Sequence, residues 1–310
     1  MKLSKLCKVG MSFLTKPYYR TRVLIKLCYY DSLSDEEFLK KVFPKYMGYP
    51  LDLENPKTFS EKLQWLKVNY REPIQTVMVD KHEAKHFIAQ RVGDQYIIPT
   101  LAIWDSVEDI DFDALPNQFV LKCTHDSGGI VICKDKSSLD RETAKAKLSA
   151  SLQRDYSRIA REWPYKDVPR RIIAEEYLSE LGNNEILDYK MYCFHGEPKI
   201  TVVCSDRFSK TGTRMNFYDI NWKPMGIHFG HYPPLSTEFP RPETYDEMLR
   251  LAMELSKDCP FLRVDFYEIK GRLYIGELTF FPGAGLEQFR PITKDYELGE
   301  WLHLETVHRG

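Results

Sequence analysis

Apolar positions along the chain follow two rhythms. Up to about residue 100 they recur at helical spacing. Asp31 to Tyr46 reads as a helix, with Ser34 as N-cap and acids in the first turn. Thr58-Phe-Ser-Glu-Lys-Leu-Gln-Trp-Leu predicts another, with Leu63, Trp65 and Leu66 facing inward. Asp80 to Val92 predicts a third, closed by Gly93. Tyr96-Ile-Ile-Pro-Thr-Leu and Phe119-Val-Leu read as strands. A glycine loop and the strand Ile130–Cys133 come next, and Ser137-Ser-Leu-Asp starts a helix expected to reach Ile159.

After Arg161-Glu-Trp-Pro-Tyr165 the rhythm changes to alternation. Residues 171–178, 189–194, 199–204 and 215–218 predict strands, and residues 243–257 a helix. Leu262 to Ile269, the turn Lys270-Gly271 and Leu273 to Phe280 predict a hairpin. The whole is an α+β pattern without internal repeats. We expect a basic helical extension over 1–50, a small lobe over 51–175 and a large sheet lobe over 176–310.

Composition narrows this picture. The chain has 310 residues, 43% of them hydrophobic, enough for a substantial core. No apolar run approaches the ~20 residues that span a bilayer. Net charge is −1, yet Lys2, Lys5, Lys8, Lys16, Arg20, Arg22 and Lys26 make residues 1–30 +7, leaving −8 elsewhere. The body is therefore no nucleic-acid binder by bulk charge. The basic start, interleaved with Leu3, Leu6, Val9, Phe13 and Leu14, suits a helix on the inner face of an anionic membrane. It equally suits a solvated arm or a docked first helix. Seven cysteines without a CxxC pair fit reduced, buried thiols in a cytoplasmic protein.

Three patterns suggest chemistry. In Val120-Leu-Lys-Cys-Thr-His-Asp-Ser-Gly-Gly129, Lys122 sits in an apolar strand, where an ammonium needs an anion on its face. Gly128 and Gly129 after Ser127 let backbone N–H groups approach a phosphate. A plain hairpin with an exposed lysine has the same pattern. Asp265 and Glu277 should face one another across the late hairpin, within a register step. Two such carboxylates suit Mg²⁺ and nucleotide phosphates, with Arg263 beside them to stabilise a transferring phosphoryl group. They equally suit a solvated strand face. Glu175-Glu176-Tyr177-Leu178 ends an apolar strand between the lobes, placed to meet a nucleotide or simply to end polar.

In this order the motifs resemble an ATP-grasp enzyme, and more narrowly the TupA-like ATP-grasp family of surface-polysaccharide gene clusters. The resemblance rests on "NPKTFSEKLQWLK" (55–67), "DK" (80–81), "IPTLAIWDS" (99–106), "LPNQFVLKCTHDSGG" (115–129) and "REWPY" (161–165). It continues through "RIIAEEYL" (171–178), "DYKMYCFHGEPK" (188–199), "SDRF" (205–208), "NFYD" (216–219) and "GELTFFPGAG" (276–285). It implies two α+β lobes clasping ATP. It implies phosphate contacts from Lys122 and Lys190, a cover from Ser127, Gly128 and Gly129, and a nucleotide edge of Glu175, Glu176 and Leu178. Asp265, Glu277 and Thr279 would hold Mg²⁺, with Arg263 and Arg214 near the transferred phosphate. Thr279 replaces the asparagine usual in the superfamily. The implied reaction is ATP-dependent joining of a carboxylate, here a carboxylated glycan, to an amine through an acylphosphate.

Three other readings compete, one of them a non-catalytic nucleotide-binding module, which the presence of both the phosphate lysines and the metal carboxylates disfavours. His82-Glu-Ala-Lys-His86 matches the HExxH zinc motif, but Lys81 and Lys85 oppose a cation there. A glycosyltransferase would need a D-x-D, for which Asp111-Phe-Asp113 is a poor candidate in an apparent loop. Trp163, His125 and Arg290 are weaker candidates for shielding the nucleotide, touching phosphate and binding a substrate carboxylate. His195, His228 and His231 read as turn or surface residues.

Overall fold

A computed structural model describes residues 17–178, 186–205, 213–230 and 238–307. The start through Lys16, most of "SDRF" and His231 lie outside the described residues.

Helices open the chain: α1 (Pro17–Lys26), α2 (Asp35–Met47), α3 (Phe59–Asn69), α4 (Ile74–Val79) and α5 (Glu83–Val92). Ser34 and Thr58 each close a capping box with a glutamate three residues on, Glu37 and Glu61, so α2 and α3 start where the sequence places them. Asp80 caps the turn before α5 by accepting from the His82 N–H at 2.8 Å, and His82 therefore precedes the helix. α4 was not foreseen from the sequence.

The small sheet has the order β1–β4–β2–β3, all antiparallel: β1 (Thr100–Trp104), β2 (Phe119–Cys123), β3 (Ile130–Cys133) and β4 (Ile172–Glu176). The strand expected from Tyr96 starts later, because a 3₁₀ turn occupies Asp94–Tyr96. Phe119, Leu121 and Cys123 pack under α6 (Arg141–Leu152) with Ala144 and Leu148, which turns Val120 and Lys122 to the opposite face. α6 stops well short of Ile159; a separate turn, α7 (Ser157–Ala160), follows.

The large sheet has the order β10–β9–β5–β6–β7: β5 (Asp188–Phe194), β6 (Glu197–Ser205), β7 (Arg214–Asp219), β9 (Phe261–Ile269) and β10 (Arg272–Thr279). A two-stranded ribbon pairs β8 (His228–Phe229) with β11 (Phe289–Arg290), and α9 (Thr293–Trp301) closes the chain. α8 (Tyr245–Ser256) covers one face of the large sheet; Tyr245 and Thr201 share a buried hydroxyl contact of 2.9 Å there. Helices α3 to α5 join this same core through Phe59, Leu63, Met78 and Phe87. Their sequence position suggests the small lobe, but the small lobe's own core begins only at β1 and Val107. The other face of the large sheet meets the small sheet around Ile98, Ile269, Tyr274 and Leu178.

Candidate active site

The cleft is built from strand registers. Lys122 pairs with Ile173, so Glu175 lies diagonally across on the same face. Its carboxylate meets Lys122 Nζ at 2.5 Å and Lys85 Nζ at 2.7 Å, with only 5% of the side chain exposed. Burial disfavours that charge, but Lys122 and then Lys85 outweigh it and hold the carboxyl below its ordinary range. Burial likewise opposes the Lys122 ammonium, and Glu175 followed by Tyr267 raises its pKa despite that. Lys85 falls instead, because burial exceeds its share of Glu175. We regard the triad as charged, since two ammonium groups share one carboxylate at contact distance.

On the large sheet, Asp265 sits between Lys190 of β5 and Glu277 of β10 in register. Its Oδ1 accepts from Arg263 Nε at 2.6 Å, and its Oδ2 accepts from Arg263 Nη2 at 2.8 Å and Lys190 Nζ at 2.5 Å. Lys190 also donates to Asp188 at 2.8 Å, and Arg263 donates to Thr279 at 3.0 Å. Burial works against the Asp265 carboxylate, yet Arg263 and Lys190 bring its pKa down. Burial also opposes the Lys190 charge, which Asp188 and Asp265 raise strongly. Among the described residues no hydrogen bond reaches Glu277. Its charge is nevertheless felt by Lys122 and Arg263, so the two sheets present one electrostatic site.

The base of the glycine loop is buried and anchored on both sides. Thr124, His125 and Asp126 are nearly inaccessible. Lys81 Nζ donates to the Asp126 carbonyl, Ser151 Oγ to the Asp126 carboxylate, and Thr124 Oγ1 to Pro169 O at 2.6 Å. A Cβ at Gly129 would lie 2.1 Å from Ser151 Oγ, so a larger residue there would displace the serine that holds Asp126. Gly128, with φ +104, turns the exposed tip.

The candidates thus fall into two sets. Lys122, Glu175, Lys190, Arg263, Asp265, Glu277 and Thr279 converge, and Ser127, Gly128 and Gly129 follow Lys122 at the loop tip. Leu178 packs in the interlobe cluster, and Glu176 is exposed, its N–H donating to Pro99 O at 3.1 Å. Arg214 opens β7 opposite Ser205, beyond β5 and β6 from the strand of Asp265. Its neighbour Met215 shares the register row of Cys204 and Asp188, so alternation gives Arg214 the other face. His125 holds the Arg154 carbonyl at 3.1 Å, and Arg290 donates to Gln288 at 2.7 Å. The Trp163 indole lies under the Arg71 guanidinium, 6.0 Å away.

Sequence reasoning missed Lys85, Asp188, Lys67 and Glu162. Lys85 was hidden in the HExxH match, where Glu83 instead holds Arg171 at 2.9 Å. Asp188 precedes Lys190 by one strand period, which was the available signal. Lys67 is wholly buried; its ammonium, lowered by burial, donates to Gln64 Oε1, Ala160 O and Ala284 O at 3.0, 2.9 and 2.7 Å. Burial pushes the nearby Glu162 carboxyl up to about 7, with Lys67 opposing and Glu277 adding. Of the D-x-D acids, Asp111 accepts from the backbone of Asp113 and Ala114, and Asp113 pairs with Arg141 at 2.6 Å. Both serve local structure.

No curated protein matches this sequence. Among solved structures, the chain is similar to D-alanine–D-alanine ligase from Bacillus anthracis complexed with ATP. The identity is 17% over 66% of this chain and 55% of that one, with a TM-score of 0.39. It is also similar to the ATP-grasp ligase PsnB complexed with minimal precursor, at 11% identity over 75% of this chain and 62% of that one, TM-score 0.42. D-cycloserine synthetase DcsG is similar at 14% identity over 74% and 72% of the two chains, TM-score 0.42. The chain thus spans 55% and 62% of the length of the first two. The profile of the TupA-like ATPgrasp family matches residues 61–303, a stretch that holds every cleft residue described above. The chain belongs to the TupA-like ATP-grasp family.

Proposed function

We propose that the protein is an ATP-dependent carboxylate–amine ligase that joins an amine or amino acid to a carboxylated sugar of a cell-surface polysaccharide. The observation that carries this reading is the pair of cationic groups facing one cleft from two sheets. Lys122 comes from the small sheet, and Lys190 with Arg263 from the large one, each neutralised by a carboxylate when no polyanion is bound. Such an array suits a nucleotide triphosphate and the transfer of its terminal phosphoryl group. The Ser127-Gly128-Gly129 tip covers the phosphates, and Glu176 and Leu178 line the nucleotide edge.

The donor set fits one divalent cation. Glu277 is unclaimed by any described donor, and Asp265 Oδ1 keeps a lone pair beyond its bond from Arg263. These two carboxylates would hold Mg²⁺, with the Thr279 hydroxyl orienting their surroundings. When bound, the ion neutralises phosphate charge and draws it into line. The chain's own part is to hold the phosphates on Lys122 and Lys190 and to keep Arg263 against the transferred group. A carboxylate oxygen leaves poorly, and phosphorylation by ATP makes the acyl carbon open to attack by an amine, with ADP and then phosphate released. No nucleophilic Ser or Cys is required.

Mass spectrometry of the surface glycan with and without the gene tests the assignment. Loss of an amide-linked mass is expected, together with Mg²⁺-dependent ADP formation by the purified protein. Loss of a whole sugar, with release of nucleoside diphosphate from a sugar nucleotide, would establish a glycosyltransferase instead.

A further inference from the structure

A second surface lies away from the cleft, on the block formed by α1, α2 and the turn between them. Leu24, Ile25 and Tyr30 point into the block and pack with Phe38, Leu39, Val42 and Phe43. The outward side chains have no such cover. Leu27 is 71% exposed, Tyr29 65% and Tyr18 42%. Arg20, Arg22 and Lys26 stand exposed among them, and no acid precedes Asp31, which is itself paired with Arg158.

Large apolar side chains interleaved with unpaired cations mark a contact surface. Residues 1–16 are a poor cover, because Lys2, Lys5, Lys8 and Lys16 carry the same sign as the patch. Nucleic acid would satisfy the cations but leave Leu27 in water. An anionic bilayer satisfies both: lipid phosphates meet the guanidinium and ammonium groups, and leucine and tyrosine enter the headgroup layer. Among the described residues no helix is long and apolar enough to cross a membrane, so the contact is with the surface.

The block is also fixed to the catalytic body. Arg161 adopts φ 56 and donates to Tyr30 O at 3.1 Å and Leu33 O at 3.2 Å, while Arg71 pairs with Asp35 at 2.8 Å. The patch therefore keeps a set orientation relative to the cleft. We propose that Tyr18, Arg20, Arg22, Lys26, Leu27 and Tyr29 form a surface that docks the protein on an anionic phospholipid bilayer.

Co-sedimentation of the full-length protein with phospholipid vesicles tests this. Binding to phosphatidylcholine vesicles containing about one third phosphatidylglycerol is expected to exceed binding to pure phosphatidylcholine by about tenfold. It should fall severalfold between about 50 and about 500 mM salt as screening shortens the reach of charge. The doubles Leu27→Glu/Tyr29→Glu and Arg20→Glu/Arg22→Glu should each lower anionic-vesicle binding about tenfold. Both variants should unfold at the wild-type temperature, since the altered side chains are exposed. Equal binding by either double variant, binding indifferent to lipid charge, or no binding to either vesicle overturns the proposal.

Discussion

Asp265 and Glu277 are register partners across β9 and β10, and a bulge at Gly276 brings them opposite one another. Ile275 pairs with Phe266 and Glu277 with Asp265, so Gly276 is the extra residue that resets the alternation. Were Gly276 paired regularly with Asp265, Glu277 would fall opposite Val264 and face α8 instead of the cleft. A Cβ at Gly276 would lie 2.5 Å from Tyr267 Cε2, and Tyr267 shares the register row of Asp188 on the cleft face. Gly276→Ala is expected to raise the KM for ATP about tenfold by displacing that ring, with a stability loss of about 1–2 kcal/mol. Steady-state kinetics beside urea unfolding would check it; an unchanged KM would remove Tyr267 from the phosphate environment.

Glu175 and Lys122 should separate stability from activity. Glu175→Gln leaves Lys85 and Lys122 facing each other without an anion, which is expected to destabilise the fold by about 3–5 kcal/mol. Lys122→Met leaves Glu175 paired with Lys85 at 2.7 Å, so a smaller stability loss is expected. Its ATP turnover should nevertheless fall at least about 100-fold. Denaturant midpoints and ADP release, measured on both variants, decide whether these two orders are indeed opposite.

A similar contrast is expected within the carboxylate pair. Asp265→Asn strips the paired carboxylate from Arg263 and leaves Lys190 with Asp188 alone, and a stability loss of about 3–5 kcal/mol is expected. Glu277 holds no described hydrogen-bond donor, so Glu277→Gln should change stability by less than about 1 kcal/mol. That variant should instead require about tenfold more Mg²⁺ for half-maximal turnover. A magnesium titration identical to wild type would remove Glu277 from the metal site.

The pH dependence of stability should carry the signature of Asp295. Burial pushes its carboxyl up to about 6, against the bonds it accepts from Ser60 N at 2.9 Å, Ser60 Oγ and Tyr49. The folded state therefore binds this proton more tightly than the unfolded state, whose value is about 3.9. The group's contribution to stability grows as pH falls through about 6 toward 4 and is withdrawn as pH rises through 6. Relative to Asp295→Asn, the wild type should gain roughly 2 kcal/mol between about pH 7 and pH 4. Parallel unfolding curves for the two proteins across that range would show that Asp295 does not titrate there.

Much of this site was legible because its signals are local. The capping boxes at Ser34 and Thr58, the Lys270-Gly271 turn and the glycine loop each act within a few residues. The facing of Asp265 and Glu277 was readable only to within a register step; Gly276, lone inside a strand, was the available signal for the bulge. The helix from Ser137 was overextended because its stop is tertiary: His125, from another strand's end, holds the Arg154 carbonyl. Lys85 escaped for the same reason. Its partner Glu175 lies on β4, far along the chain, while its nearest neighbours in sequence mimic a zinc motif. Arg263 and Thr279 share a register row, so pairing strands places them together at once. Arg214 shares its register row with Ser205 on the far edge of the sheet, so the same pairing separates it from them.

The two lysines on Glu175 also determine how the cleft selects its ligand. Without nucleotide, Lys122 already has a counter-ion built into the chain, held at 2.5 Å and largely sealed from water. A chloride or a lone carboxylate arriving there exchanges one negative partner for another and leaves Glu175 with Lys85 alone, so it gains little. A ligand that also reaches Lys190 and Arg263 replaces several such internal partners in one step. Under the proposed function the cleft would filter anions by the number of charges they carry, and ligand binding should stay insensitive to the simple salts around it.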